Sequence, residues 1–291
     1  MTGIRNTYIM ILAGLCLLSS CVERDLKEYT HGWLDLRVSW PADCATSEAE
    51  VWLYGADGRL LSASRCASGG QRFELPAGEY GVVVMNGNPT HVAADGTEAL
   101  HTHHIEALTR EDGEGGLMSV GNVFACGTEH VRVEPRVVRE LTLHPENRVR
   151  MIHFVVKAVS TRSGGSPGVK VRSIRMDGVL PWIYSLDGQA DGAVLGAVTV
   201  TASPDASGGF TAQAGVLGWD DRQRVEMEVE DESGVYDAPP VDISHHLEDL
   251  PEEGGTITVT LDLPEERGRL LLTATVVPWN RKDGEASADV E

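Results

Sequence analysis

Past its first twenty residues the chain has no apolar run approaching the ~20 residues that a membrane-spanning helix needs. It lacks a His-Glu-x-x-His pair, a Gly-Lys-Ser/Thr phosphate loop and a Ser-x-x-Lys pair. Those absences remove the signatures of zincin proteases, nucleotide hydrolases and the serine–lysine acyltransferases. Lysine is scarce: Lys27, Lys157, Lys170 and Lys282 are the whole complement, and 24 basic residues face 44 acidic ones. The resulting net charge of −20 repels phosphate backbones and anionic lipid alike. Nucleic acid is therefore excluded as a partner, and a basic membrane-binding face is excluded as a means of attachment. Long stretches of helical periodicity are missing too. Carboxylates are plentiful, but no pair is set together as a glycosidase would need, and the excess reads as a solvated surface. No cofactor or enzymatic activity is implied.

What the chain does have begins with a short basic start at Arg5, an apolar run over residues 8–18, and small residues before a cysteine. That order is a secretory signal, and the run is too short to span a bilayer stably. Its ending, Leu18-Ser19-Ser20-Cys21, resembles a bacterial lipobox. The resemblance implies that Cys21 is acylated and becomes the mature N-terminus. A thiolate suits this step because it is the side-chain nucleophile best able to accept a diacylglyceryl group. Cys16 competes poorly, since Leu15 is too large for the preceding small-residue position. Each buried acyl methylene contributes ~0.8 kcal/mol, so two or three chains hold a protein on a membrane almost permanently. Loss of residues 1–20 removes one charge, Arg5, and leaves the mature chain slightly more acidic.

Residues 21–31 read as a polar tether, and the first domain follows over 32–146. In residues 33–40, Leu34, Leu36 and Val38 alternate with polar or charged residues and Trp40 closes the apolar face, the period of a half-buried strand. A hairpin over 50–54 and 59–65 turns at Gly55-Ala56-Asp57-Gly58. Residues 71–75 alternate again. The turn Leu75-Pro76-Ala77-Gly78-Glu79-Tyr80 then feeds a strand whose Val82-Val83-Val84 run predicts cover on both faces. Residues 105–111 suggest a short helix. Strands at 129–134 and 137–143 flank Pro135, which suits an edge or a turn. His144-Pro145-Glu146-Asn147 marks the domain boundary. The second domain, 147–280, carries strands at 148–159, 169–176, 193–202, 209–216, 224–229, 256–263 and 269–277. An acidic tail of residues 281–291 closes the chain. Short strands recurring between turn signals argue for an all-β chain of sandwiches, with no internal repeat visible in the letters.

Few side chains invite chemistry. Folding the first hairpin sets Cys66 opposite about residue 47, which brings Cys44 within reach of a candidate disulfide; the exported compartment permits one. Closing that loop would contribute roughly 3 kcal/mol. His101-Thr102-His103-His104, with His91 nearby, could offer two histidines at i and i+2 to a metal, although a structural zinc site wants four ligands. An exposed loop cluster is the plainer reading, and no metal is assigned. Asp187-Gly188-Gln189-Ala190-Asp191-Gly192 lacks the third-position acid and closing glutamate of a calcium loop and reads as two turns. Trp33, Trp40, Trp52, Trp182, Trp219 and Trp279 could stack on sugars, but packing is the simpler role.

Four stretches taken together resemble the fimbrillin-associated anchor lipoproteins of Bacteroidetes, the FimB-like family within the fimbrillin superfamily. They are the lipobox, the opening Leu34-Asp35-Leu36-Arg37-Val38, the Leu75-to-Tyr80 turn with its valine strand, and the closing Leu272-Thr273-Ala274-Thr275-Val276-Val277-Pro278-Trp279. The resemblance implies two tandem transthyretin-like Greek-key β-sandwiches on a lipid anchor at the outer membrane, with pilin subunits as partners. Shaft subunits of such pili lose their first strand to an arginine-specific protease and accept a neighbour's strand. Anchor members keep theirs, so they donate without accepting. Carried onto this chain, residues 33–40 stay paired, and Leu270, Leu272, Ala274, Val276 and Trp279 belong to the candidate donor strand. Cleavage at Arg24 or Arg37 would instead make the chain a shaft or tip subunit. A glycan-binding surface lipoprotein is the other alternative.

Overall fold

A computed structural model describes residues 30–111, 116–160, 168–231, 234–247, 250–251, 254–263 and 271–277. Cys21 and the tether as far as residue 29 lie outside those residues, as do Leu270, Trp279 and the acidic tail; the expected end of the tether, His31, opens the first strand. The regular structure of the described residues is almost entirely strand, with one 3-10 turn at Leu100–Thr102 and one turn of helix at Ser244–Leu247. It divides into two units. Among the described residues, the first comprises those within 30–87, 97–102 and 124–146, and the second those within 88–96, 103–123 and 147–277. Residues 88–96 and 103–123, which the sequence reading placed with the first sandwich, thus group with the second.

Strands β1 (His31–Val38), β2 (Glu48–Tyr54), β3 (Leu60–Ala67), β4 (Gly70–Pro76) and β5 (Gly78–Asn86) follow one another in the first unit. Next along the chain come β6 (Val92–Asp95) and β7 (His104–Ala107), which group with the second unit, and then β8 (Phe124–Val133), β9 (Val138–Leu143) and the two-residue β10 (Glu146–Asn147). β1 sits between β4, to which it is antiparallel, and β9, to which it is parallel. The second sheet runs β8-β5-β2-β3, with β10 beyond β8. The period-two pattern of β1 does what it predicts: Leu34 and Leu36 are buried and Arg37 is exposed. Those leucines join Val51, Leu53, Val82, Val84, Val131 and Val133 in one core between the sheets. β5 is central in its sheet, and Leu100 covers its outer face so closely that a Cβ on Gly81 would lie 2.4 Å from the leucine side chain. Hence Val82, Val83 and Val84 are all fully buried.

The second unit is built from β11 (Arg150–Ser160), β12 (Lys170–Val179), β13 (Trp182–Tyr184), β14 (Gly196–Thr201) and β15 (Ser203–Pro204). It continues through β16 (Phe210–Val216), β17 (Arg224–Asp231), β18 (Gly234–Asp242), β19 (Gly254–Leu263) and β20 (Leu271–Val277). Here β11 is antiparallel to β16 and parallel to β19, and the other sheet runs β14-β12-β17-β18. This is the topology of the first unit again, with β11 in the place of β1. One difference is that β20 adds a further antiparallel strand on β19. The letters hid this repeat because equivalent strands share their pairing and not their residues. The tandem Greek-key sandwiches expected from the resemblance are therefore present.

The helix expected at 105–111 is not. Residues 104–107 form β7, which pairs with β6 on one side and β13 on the other. Ile105 and Ala107 are buried while His104 and Glu106 alternate outward. A pairing partner roughly eighty residues distant overrode a local pattern compatible with helix.

Candidate functional site

The first strand is held by more than its ladder. Leu34 and Leu36 are 0% and 1% exposed, and burying side chains of this size contributes ~1.5–3 kcal/mol each. Gly70, at φ +100°, brings β4 so close that a Cβ there would lie 2.2 Å from the Leu36 carbonyl oxygen. Position 70 is closed to other residues both by its left-handed backbone and by that approach. The start of β1 is tied to the Leu75-to-Tyr80 turn. Ala77 N–H donates to the Thr30 carbonyl at 2.7 Å, and the Tyr80 hydroxyl donates to the Pro76 carbonyl at 2.6 Å. Burial raises the Tyr80 pKa, which keeps the hydroxyl a donor. The motif that carried the family resemblance thus braces the first strand.

Arg37 tests whether that strand could be cut. Its side chain is 57% exposed, 3.0 Å from Glu140 and 3.6 Å from Asp35. Asp35 is also held by Arg72, whose hydrogen bond is the main cause of its lowered pKa. Exposed pairs of this kind contribute little to stability. The backbone is another matter. Arg37 lies opposite Gly70 on one side and Thr142 on the other. Just beyond it, Val38 N–H donates to Gly69 and Ser39 N–H donates to Leu143. A protease binds its substrate as an extended strand through backbone bonds. Here those bonds are already made on both sides, so the guanidinium is exposed while the backbone around it is engaged in two ladders.

At the other end, β20 is the last strand of its sheet and pairs along its described length with β19. Its register sets Leu272 opposite Leu261, Ala274 opposite Val259 and Val276 opposite Ile257, all three β19 residues being fully buried. The candidate donor strand is therefore docked on its own chain in this structure, with a partner on one edge.

The expected Cys44–Cys66 disulfide is not formed: both carry free thiols. The hairpin register explains this. Cys66 pairs across from Ala49, two residues further along than the sequence suggests: the turn pairs Tyr54 with Leu60 rather than Arg59, and a break in register between Leu53 and Tyr54 adds the second residue. Cys44 sits in a turn closed by its own N–H to the Pro41 carbonyl. Burial pushes both thiols' pKa up, which keeps them protonated and unreactive.

The histidines are dispersed. His101 is exposed in the 3-10 turn, and His91 bonds the Ser119 carbonyl. His103 is buried with Nδ1 2.6 Å from the Ser185 hydroxyl. Burial, with His104 adjacent, lowers its pKa to about 4. The i, i+2 pair His101 and His103 therefore shares no strand face. His104 alone of the run stands on β7, its ring 5.2 Å from Trp182. Among the other tryptophans, Trp52 is buried, Trp40 packs on the first core and donates to the Ser68 carbonyl, and Arg150 covers the Trp219 ring at 4.5 Å. Asp187 accepts from the Gln189 N–H, and Gly188 and Gly192 adopt positive φ, so the acidic loop is a pair of turns.

No family model matches the chain. A Bacteroides ovatus protein described as a candidate fimbrium anchoring subunit, Fim4B, is 27% identical over 171 residues, covering 54% of this chain and 50% of that protein. The chain spans about half the length of this curated relative. Among solved structures, a candidate adhesin of Bacteroides ovatus superposes with a TM-score of 0.60 at 17% identity, over 76% of this chain and 85% of that one. The fimbrial anchor protein Mfa2 of Porphyromonas gingivalis gives 0.57 at 10% identity, over 85% of this chain and 98% of that one. The Fim4B match bears out the resemblance to fimbrial anchor proteins. The superpositions bear out the fold.

Proposed function

We propose that this chain is a lipid-anchored cell-surface protein that fixes a fimbria to the outer membrane and ends its assembly by donating a strand. The observation that carries the reading is β1, seated between β4 and β9 with its backbone paired on both sides. A first strand so held leaves no vacant groove in its sheet, so the first unit does not accept a neighbour's strand there. Cys21 supplies the membrane attachment, which the acidic surface could not. Residues 269–279 are the donor: β20, bonded to β19 alone in its sheet, exchanges that ladder for one with the adjoining pilin.

Two measurements test this. Mass spectrometry of the protein from cells should find acylated Cys21 still joined to β1; a mature N-terminus after Arg37 overturns the anchor reading. Deleting residues 269–291 should give detached or overlong fimbriae, with a thermal melt to confirm that the shortened protein still folds. Unchanged filaments from a folded deletion protein refute donation and leave the glycan-binding alternative.

A further inference from the structure

We propose that Asp95, His104 and Glu106 bind a divalent first-row transition-metal ion on the outward face of the β6-β7-β13 sheet. The argument starts from register. Asp95 on β6 is the direct partner of His104 on β7, and Glu106 lies two residues beyond His104 on the same face. Direct cross-strand neighbours and i, i+2 neighbours are the residues a sheet brings nearest on one side. The result is one imidazole nitrogen and two carboxylate oxygens whose ligand atoms all lie within 4.8 Å of one another. His104 Nε2 is 4.0 Å from Asp95 Oδ2. Ligands ~2.1 Å from a common tetrahedral ion stand roughly 3.4 Å apart, so a small side-chain rotation closes the set.

The three ligands differ in how firmly they are held. Ile105 and Ile183 are buried on the opposite face and fix β7 against β13. On the outward face Trp182 tilts against the His104 ring at 5.2 Å, and Tyr184 meets Trp182 edge-on at 5.1 Å. The imidazole side chain, 20% exposed, is thereby oriented before any ion arrives. The Asp95 side chain is 67% exposed and able to swing inward. Two carboxylates beside an imidazole nitrogen attract a dication, and water completes the shell. The mixed nitrogen and oxygen donors favour zinc and its neighbours in the first row over calcium or magnesium, which prefer oxygen alone.

The test is calorimetric titration of the full chain in detergent with zinc, and separately with calcium. One zinc site is expected, weakened at least roughly tenfold (~1.4 kcal/mol) by His104→Ala and by the shape-conserving Glu106→Gln, and unchanged by His101→Ala. Copper quenching of tryptophan fluorescence should be lost in Trp182→Phe, because that ring abuts the ligand. Equal zinc affinity in the wild type and in folded Glu106→Gln overturns the proposal, as does calcium competing with zinc on equal terms. Thermal melts identify a variant that has failed to fold, and Glu106→Gln on the exposed face then decides the matter.

Discussion

Replacing Leu36 with alanine should convert Arg37 from a protected residue into a cleavage site. Leu36 is 1% exposed at the middle of β1, in the core shared with Val51, Val84 and Val131. Truncating a core leucine costs ~2–5 kcal/mol, because the lost transfer energy is joined by the cavity left behind. A cost of ~3 kcal/mol would raise the population of opened first strand on the order of a hundredfold, each 1.4 kcal/mol being a factor of ten. When opening and closing are fast relative to cutting, proteolysis follows that population. The assay is initial-rate digestion with an arginine-specific endoprotease, with new N-termini mapped by mass spectrometry. In the wild type, Arg59, whose side chain is 83% exposed beside the Gly58 turn, should be cut well before Arg37. In the variant, cleavage after Arg37 should accelerate on the order of a hundredfold. Wild-type protein cut after Arg37 as fast as an unstructured peptide of residues 30–45 would refute the reasoning.

Two further outcomes follow from buried polar groups. His103, with its pKa lowered to about 4, stays neutral in the fold while the unfolded chain binds a proton near 6.5. Stability is therefore full above pH 6.5 and declines as pH falls toward 4, by ~3 kcal/mol at full extent. Urea midpoints at pH 7 and 4.5 should show a drop that His103→Gln reduces; an identical drop in the variant would rule His103 out as its source. Tyr80→Phe should cost ~1 kcal/mol by removing the bond to the Pro76 carbonyl. A change of only a few tenths in chemical denaturation would show that Leu75 and the Ala77 N–H hold the turn unaided.

Local sequence was enough wherever one face of a strand is buried, because burial imposes a period that can be read without knowing the partner. Leu34, Leu36 and Val38 declared β1 in this way, and the unbroken Val82-Val83-Val84 run declared a strand covered on both sides. The Leu75-to-Tyr80 turn was legible as short-range chemistry. Partners were not legible. β18 was missed because Pro239 and Pro240 argue against a strand, yet it lies at the end of its sheet, where missing N–H donors are tolerated. β7 was mistaken for helix because its pairing with β13 spans some eighty residues. The Asp95–His104–Glu106 trio depends on the register of β6 against β7, which a helix over 105–111 does not provide. The disulfide failed on a register that shifts within a single hairpin. The sequence by itself determined that the chain is strand-built and acidic, since those properties depend on composition and neighbouring residues. Tertiary structure alone decided that the same topology occurs twice and that β1 is closed in on both edges, since hydrogen-bond partners far apart in the chain are chosen only when the sheets assemble.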